Sequence, residues 1–191
     1  MSFSKNIPNS IKKLHPNIFP SKGIGSWLFC ESGERYLDLT SGIGALSTGH
    51  SHPDIINSVK KQVDKYVHTP QQLFNIHTSS NNLTGKLLGI MPNKKLDSIF
   101  YVNSGSEATD NAIKIARAYT NRQNIITIKK GFHGRTYGAL SVTSSNLTCK
   151  QNINPLLPGV FYTEGNNIND FKEIIRYNTD PSEVACVLYE P

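Results

Sequence analysis

Long hydrophobic runs are missing from these 191 residues, and with them any stretch of membrane-spanning length. Cysteine is scarce: Cys30, Cys149 and Cys186 stand far apart, with no Cys-x-x-Cys spacing. That pattern argues against a disulfide framework or a zinc site and fits a reducing compartment. Charged residues are only 18% of the chain and hydrophobic residues only 37%. Asn, Ser and Thr fill the gap. We attribute that bias to genome composition or long loops rather than disorder, because periodic apolar segments persist along the chain. Acidic residues are absent before Glu31. The opening MSFSKNIPNSIKKLHPNIFP has no apolar core for a secretory signal. Its lack of acid is shared with transit peptides, but it also lacks Arg, and Pro8, Pro16 and Pro20 would break an amphipathic helix. A cytoplasmic location is expected, with a mitochondrial one as the alternative.

A net charge of +6 and a pI near 9.2 raise the question of nucleic acid. The basic residues are dispersed, however, and Lys129-Lys130 is an isolated pair with no aromatic-basic interleaving. A modest positive field equally suits a protein that binds phosphate and carboxylate groups. Neither nucleic acid nor membrane is expected as a partner. The triplets Asn82-Leu83-Thr84 and Asn146-Leu147-Thr148 match a glycosylation pattern, and in so Asn- and Thr-rich a chain they are read as chance.

Along the chain, the first thirty residues read as irregular. Trp27–Cys30 and Arg35–Leu39 then flank a Glu31-Ser32-Gly33-Glu34 turn, a hairpin signal. A glycine-rich loop, Ser41–Leu46, leads to Gly49-His50-Ser51-His52-Pro53. Pro53 suits the first turn of a helix carrying Ile55, Ile56, Val59, Val63 and Val67. A second helix is expected over Ser79–Ile90, with Pro92 beyond its end. From Leu96 strands and helices alternate. The expected strands are Ile99–Val102, Asn124–Ile128, Val160–Thr163 and Val184–Tyr189. One helix is expected with Ala108, Ala112, Ile115, Ala116 and Tyr119 on a face, and another around Ile168–Ile175. That alternation implies an α/β fold with a mostly parallel sheet covered on both faces.

Two clusters carry chemistry. In Tyr101-Val102-Asn103-Ser104-Gly105-Ser106-Glu107-Ala108 a strand ends, glycine permits a tight turn and a helix begins. The first N–H groups of such a helix lack intrahelical partners and its dipole adds positive charge. With the Ser106 hydroxyl they make a phosphate site. A capping box, Ser104-x-x-Glu107, is the plainer reading, and both can hold because they use different N–H groups. The second cluster, Gly131-Phe132-His133-Gly134-Arg135-Thr136, follows the next strand and so belongs to the same sheet edge, where ligands of open α/β sheets bind. Its aromatic, imidazole and guanidinium groups could stack on a flat ring and hold a carboxylate. A solvated surface turn is the alternative. His50 and His52 lack an accompanying Cys or carboxylate cluster, so loop and helix positioning is expected of them rather than metal binding.

Together, Asn103-Ser104-Gly105-Ser106-Glu107-Ala108 and Phe132-His133-Gly134-Arg135-Thr136 resemble the signature pair of class III aminotransferases. Gly42-Ile43-Gly44 with Gly49–Pro53 resembles the family's substrate-side loop. Tyr189-Glu190-Pro191 resembles its Glu-Pro strand end. The resemblance spans about residues 20 to 191, in order. It implies fold type I, with pyridoxal 5'-phosphate (PLP) as cofactor. Gly105 and Ser106 would hold the phosphate, Phe132 would stack on the pyridine and His133 would lie beside it. Arg135 would take a substrate carboxylate. The wording leans toward the 4-aminobutyrate or ω-amino acid branch, with the acetylornithine/ornithine type as alternative. Amino acid and 2-oxo acid substrates are implied, and a homodimer or larger assembly for the complete protein.

The same resemblance places an Asp after the Glu-Pro and, further on, a Schiff-base Lys. Neither position occurs in this sequence, and Lys86, Lys114, Lys129 and Lys130 do not align with that lysine. The chain therefore reads as an N-terminal fragment without a catalytic residue, inactive alone, or else as a non-catalytic relic or interaction protein. Residues 1–50 are expected to be an N-terminal segment of the small domain. Residues 51–191 are expected to be the first part of the PLP-binding large domain.

Overall fold

The computed structural model describes residues 18–70, 73, 77–165 and 167–191, which divide into two compact units, Met1–Asn81 and Asn82–Pro191. In the first unit, β1 (Pro20–Ile24), β2 (Trp27–Cys30) and β3 (Arg35–Leu37) form an antiparallel sheet in that order. The β2–β3 hairpin is the one its turn residues predict. Gly33 takes φ 94°, Cys30 N–H donates to Glu34 O at 2.9 Å, and Trp27 lies opposite Leu37. β1 corrects the reading of the first thirty residues as irregular, of which 1–17 lie outside the described residues. Pro-Ser-Lys-Gly-Ile has no apolar alternation, and its strand character comes from pairing with β2 rather than from its own pattern. Proline at the first strand position forfeits little, since its missing N–H falls at the ladder's start.

Gly25 and His50 exchange backbone hydrogen bonds of 2.9 and 2.7 Å. The His50 Nε2 also meets the Asp38 carboxylate at 2.8 Å. Asp38 accepts further bonds from the Thr40 hydroxyl, at 2.6 Å, and from the amides of Thr40 and Ser41, at 2.9 and 3.0 Å. The Thr40 hydroxyl and then His50 hold the Asp38 carboxyl down at about 2. A carboxylate depressed in the folded state stabilises fully above its unfolded pKa, near 3.8, and that contribution is lost as pH falls through about 2. Asp38→Asn should flatten this part of the acid-unfolding curve. An unchanged curve between pH 4 and 2 would mean that Asp38 does not link the hairpin to the loop.

Between these contacts lies the glycine-rich loop. Its helical turn, α1 (Ser41–Gly44), is broken by left-handed backbone at Gly42 and Ile43. α2 (Pro53–Val63) starts with His52 as N-cap, its side chain accepting from Asp54 N–H at 3.3 Å, and Pro53 at the first turn. It ends before Val67, because Asp64 caps it. Val67 therefore leaves the stripe that periodicity assigns to it. α3 (Thr78–Ile90) follows and contains the boundary between the units.

The second unit is parallel α/β. After α4 (Gly105–Thr120) come β4 (Asn124–Ile128), α5 (Tyr137–Val142), β5 (Val160–Thr163), α6 (Ile168–Tyr177) and β6 (Val184–Leu188). The sheet order is β5-β4-β6, all parallel, with β4 central and Ile125 and Ile126 fully buried. Ile113 of α4, Ile125 and Val142 form the core, and Leu157, Val160, Cys186 and Leu188 pack around it. Burial pushes the Cys186 thiol above its ordinary pKa, as suits a packing residue.

Two expectations are corrected here. Ile99–Val102 belongs to no named strand. Nothing among the described residues supplies a ladder for it; within it the Tyr101 hydroxyl lies 2.9 Å from that of Thr84. Of the α4 stripe Ala108, Ala112, Ile115, Ala116 and Tyr119, only Ala116 is half-buried and the other four are exposed, Tyr119 to 89%, while Ile113 is buried. Polar tethers choose the buried face: Thr109 and Asp110 bond the 133–139 segment, and that turns Ile113 into the core.

Candidate active site

At the start of α4, Ser104 is the N-cap and the capping box is complete. The Ser104 Oγ accepts from Glu107 N–H at 3.2 Å, and Glu107 Oε2 accepts from Ser104 and Asn103 N–H at 3.1 and 2.6 Å. Those bonds leave the Gly105 and Ser106 amides without an acceptor among the described residues. Two N–H groups at a positive dipole end are what an oxyanion needs. A Cβ at Gly105 would meet nothing within 4 Å, so the space on that side of the first helical residue is open.

The second cluster lies against the first. Ser106 Oγ accepts from Arg135 N–H at 3.2 Å, which leaves its own proton free to donate. The Thr109 hydroxyl donates to His133 O at 2.9 Å, and Thr136 donates to Ser106 O at 3.4 Å. Gly134, at φ 133°, allows the close approach: a Cβ there would collide with the Ser106 side chain and with Ala139. Gly138 is tight for a similar reason, since Asp110 Oδ1 sits over it while accepting from Ala139 N–H at 2.7 Å.

Each expected site residue can now be placed. Gly105 and Ser106 form the amide pair. Phe132 is 45% exposed, its amide donating to Glu190 Oε2 at 2.8 Å. The His133 amide donates to Thr143 Oγ1 at 2.9 Å. The Thr127 hydroxyl donates to Val142 O at 3.2 Å and so accepts from His133 Nε2–H at 3.4 Å, which assigns the tautomer. Burial lowers the His133 pKa and Glu190 partly restores it. A histidine buried neutral stabilises fully above about 6.5, and that contribution is lost as pH falls toward its lower folded value. Arg135 is anchored by its backbone alone. Its guanidinium has no acceptor among the described residues and is free for an incoming carboxylate.

Thr143, Asp110 and Thr109 were not singled out by sequence reasoning, and Glu190 was marked only as part of a Glu-Pro strand end, not as the acceptor for the Phe132 amide. In a chain this rich in hydroxyls, nothing marks Thr143 before its burial is seen. It is fully buried, accepts from His133 N–H and lies 3.1 and 2.9 Å from the carbonyls of Gly134 and Ala139. Thr143→Val keeps the shape and removes the oxygen. We expect a loss of about 1–3 kcal/mol, read as a lower urea midpoint, because a buried N–H is orphaned. No shift in midpoint would mean that water replaces the hydroxyl.

Known proteins resemble this chain in sequence and fold. The family model for class-III aminotransferases matches residues 9–191. The probable 4-aminobutyrate aminotransferase of Bacillus subtilis is 33% identical over 98% of this chain and 46% of its own length. The acetylornithine aminotransferase of Bacillus anthracis is 36% identical over 88% of this chain and 41% of its own. Among solved structures, the adenosylmethionine-8-amino-7-oxononanoate aminotransferase of Methanocaldococcus jannaschii superposes with a TM-score of 0.84 at 31% identity. That match covers 96% of this chain and 44% of the other. The Toxoplasma gondii ornithine aminotransferase, whose active site holds PLP at partial occupancy, gives 0.82 at 25% identity over 98% and 43%. The fold is that of fold type I transferases, and the chain spans about half the length of the curated relatives it matches. By motif, fold and extended sequence similarity, this chain belongs to the class-III aminotransferases.

Proposed function

We propose that this chain is the cofactor-binding N-terminal part of a PLP-dependent transaminase that moves an amino group from an amino acid or ω-amino acid, 4-aminobutyrate-like, to a 2-oxo acid. The observation that carries this reading is the tie between the two clusters through Ser106–Arg135 and Thr109–His133 at one sheet edge. The residues present fit the cofactor. The open Gly105 and Ser106 amides and the free Ser106 hydroxyl proton suit a phosphate dianion, and the half-exposed Phe132 ring suits a flat heterocycle. Bound PLP would supply an electron sink for chemistry at the amine-bearing carbon. This chain's own residues hold and orient: Arg135 would fork onto a substrate carboxylate, and His133 would stay neutral with its Nε2 proton on Thr127.

In this reading residues 1–50 belong to the small domain and 51–191 to the large one, and the chain alone does not turn over substrate. The uncovered α4 stripe and the half-length match to relatives support a longer, homodimeric or larger enzyme. An acetylornithine- or ornithine-type donor is the second reading, favoured by the likeness to the B. anthracis protein. The cytoplasm is the proposed location, with mitochondria as the alternative.

The test is equilibrium binding of PLP to the 191-residue chain, with inorganic phosphate as competitor. Phosphate should displace PLP, and Ser106→Ala should weaken it about fivefold, the effect of one net hydrogen bond. Binding indifferent to both would sink the cradle. No binding at all would favour the rival reading of a relic or interaction protein.

A further inference from the structure

We propose that Glu190 is a positioning residue: its carboxylate, just past β6, fixes the Phe132–His133 backbone at the sheet edge and sets a negative charge beside the imidazole. The inference rests on the reading of Phe132 and His133 as the ring-side groups. Lys129 N–H donates to Thr163 O at 2.8 Å and its ammonium meets Glu164 at 2.7 Å, so the segment leaves β4 tied to the β5 side. Lys130 then takes a left-handed φ of 71°, and Gly131 turns tightly, with its O accepting from the amides of Ser144 and Ser145. Two residues later the tie is on the opposite flank, because β6 pairs with β4 in parallel from Asn124↔Val184 to Thr127↔Leu188. Glu190, two residues past Leu188, holds the Phe132 amide at 2.8 Å.

The consecutive amides of Phe132 and His133 are thus bound by side-chain oxygens from two different elements, Glu190 after β6 and Thr143 after α5. Both backbone bonds must hold for the Phe132 ring to keep one direction while half its surface faces solvent. Around His133 the contacts from β4, α4 and the end of α5 are the hydroxyls of Thr127, Thr109 and Thr143, all uncharged. Glu190 is the charged group whose field reaches the imidazole, and it opposes the effect of burial. A purely structural role would need only an acceptor for the Phe132 N–H. The positioning role also needs the charge.

Two variants separate the claims in the isotope-labelled 191-residue chain, read by NMR. Glu190→Gln keeps an acceptor oxygen and removes the charge. Phe132 amide exchange should stay near wild type while the His133 titration midpoint drops. Glu190→Ala removes both, and Phe132 exchange should rise about fivefold or more. An unmoved His133 titration in Glu190→Gln, or unchanged Phe132 exchange in Glu190→Ala, overturns the proposal. Added PLP tests the underlying reading separately. Shifts at Phe132 and His133 in the wild type support it, whereas their absence, with both variant effects present, overturns the cofactor assignment and leaves the Glu190 contact standing.

Discussion

Gly134→Ala should destabilise the second unit by about 2–4 kcal/mol and abolish phosphate-competed PLP binding. Two costs add. At φ 133° a residue with a Cβ sits in backbone territory that side chains rarely occupy, which costs on the order of 1–3 kcal/mol. The new methyl must also displace the Ser106 side chain or Ala139, and Ala139 is fully buried. Moving Ser106 breaks its contact with the Arg135 amide and shifts one of the cradle's donors. Gly105→Ala is the contrast. It is the same chemical change in an open position, so stability should hold within about 1 kcal/mol of wild type. Urea unfolding of both variants checks this. Equal midpoints would mean that the two clusters do not touch as described.

That contrast also marks where sequence reading reaches its limit. The Gly-Ser start of α4 and the Phe-His-Gly-Arg run are legible because they are contiguous, and the parallel strands β4, β5 and β6 are legible because each is a short apolar run. The Ser104–Glu107 capping box follows from local spacing and is complete in the structure. What escapes is whatever depends on a distant partner. Strand β1 takes its character from β2, and Ile99–Val102 lacks a ladder among the described residues despite an apolar pattern. The buried face of α4 is set by Thr109 and Asp110 reaching the 133–139 segment, not by its apolar stripe. The helix α5 escapes because Tyr-Gly-Ala-Leu-Ser-Val is short and contains glycine, and its helical state depends on burial of Ala139 through Val142. Thr143 belongs to this class, since its chemistry is ordinary and only its placement is special; Glu190 is legible as part of a Glu-Pro motif, but its hold on the Phe132 amide is not.

Arg135→Ala, made in an active assembly containing this sequence, should raise KM for carboxylate substrates about 10- to 100-fold. A hydrogen-bonded charge contact is worth about 1.5–3 kcal/mol. The Arg135 amide is fixed by Ser106 Oγ, so the loop keeps its course without the guanidinium, and no acceptor among the described residues occupies the fork. The side chain is exposed, so its removal should leave the urea midpoint of the chain within about 0.5 kcal/mol. Arg135→Lys keeps the charge and loses the planar fork, and should fall between wild type and Arg135→Ala. Amine substrates without a carboxylate discriminate the role. Their KM should be indifferent to both substitutions if Arg135 binds the carboxylate. An equal loss for every substrate would instead place Arg135 on the cofactor side or in the fold. A loss of kcat with KM unchanged would mean that the guanidinium acts only at the transition state, and the carboxylate assignment would then fail.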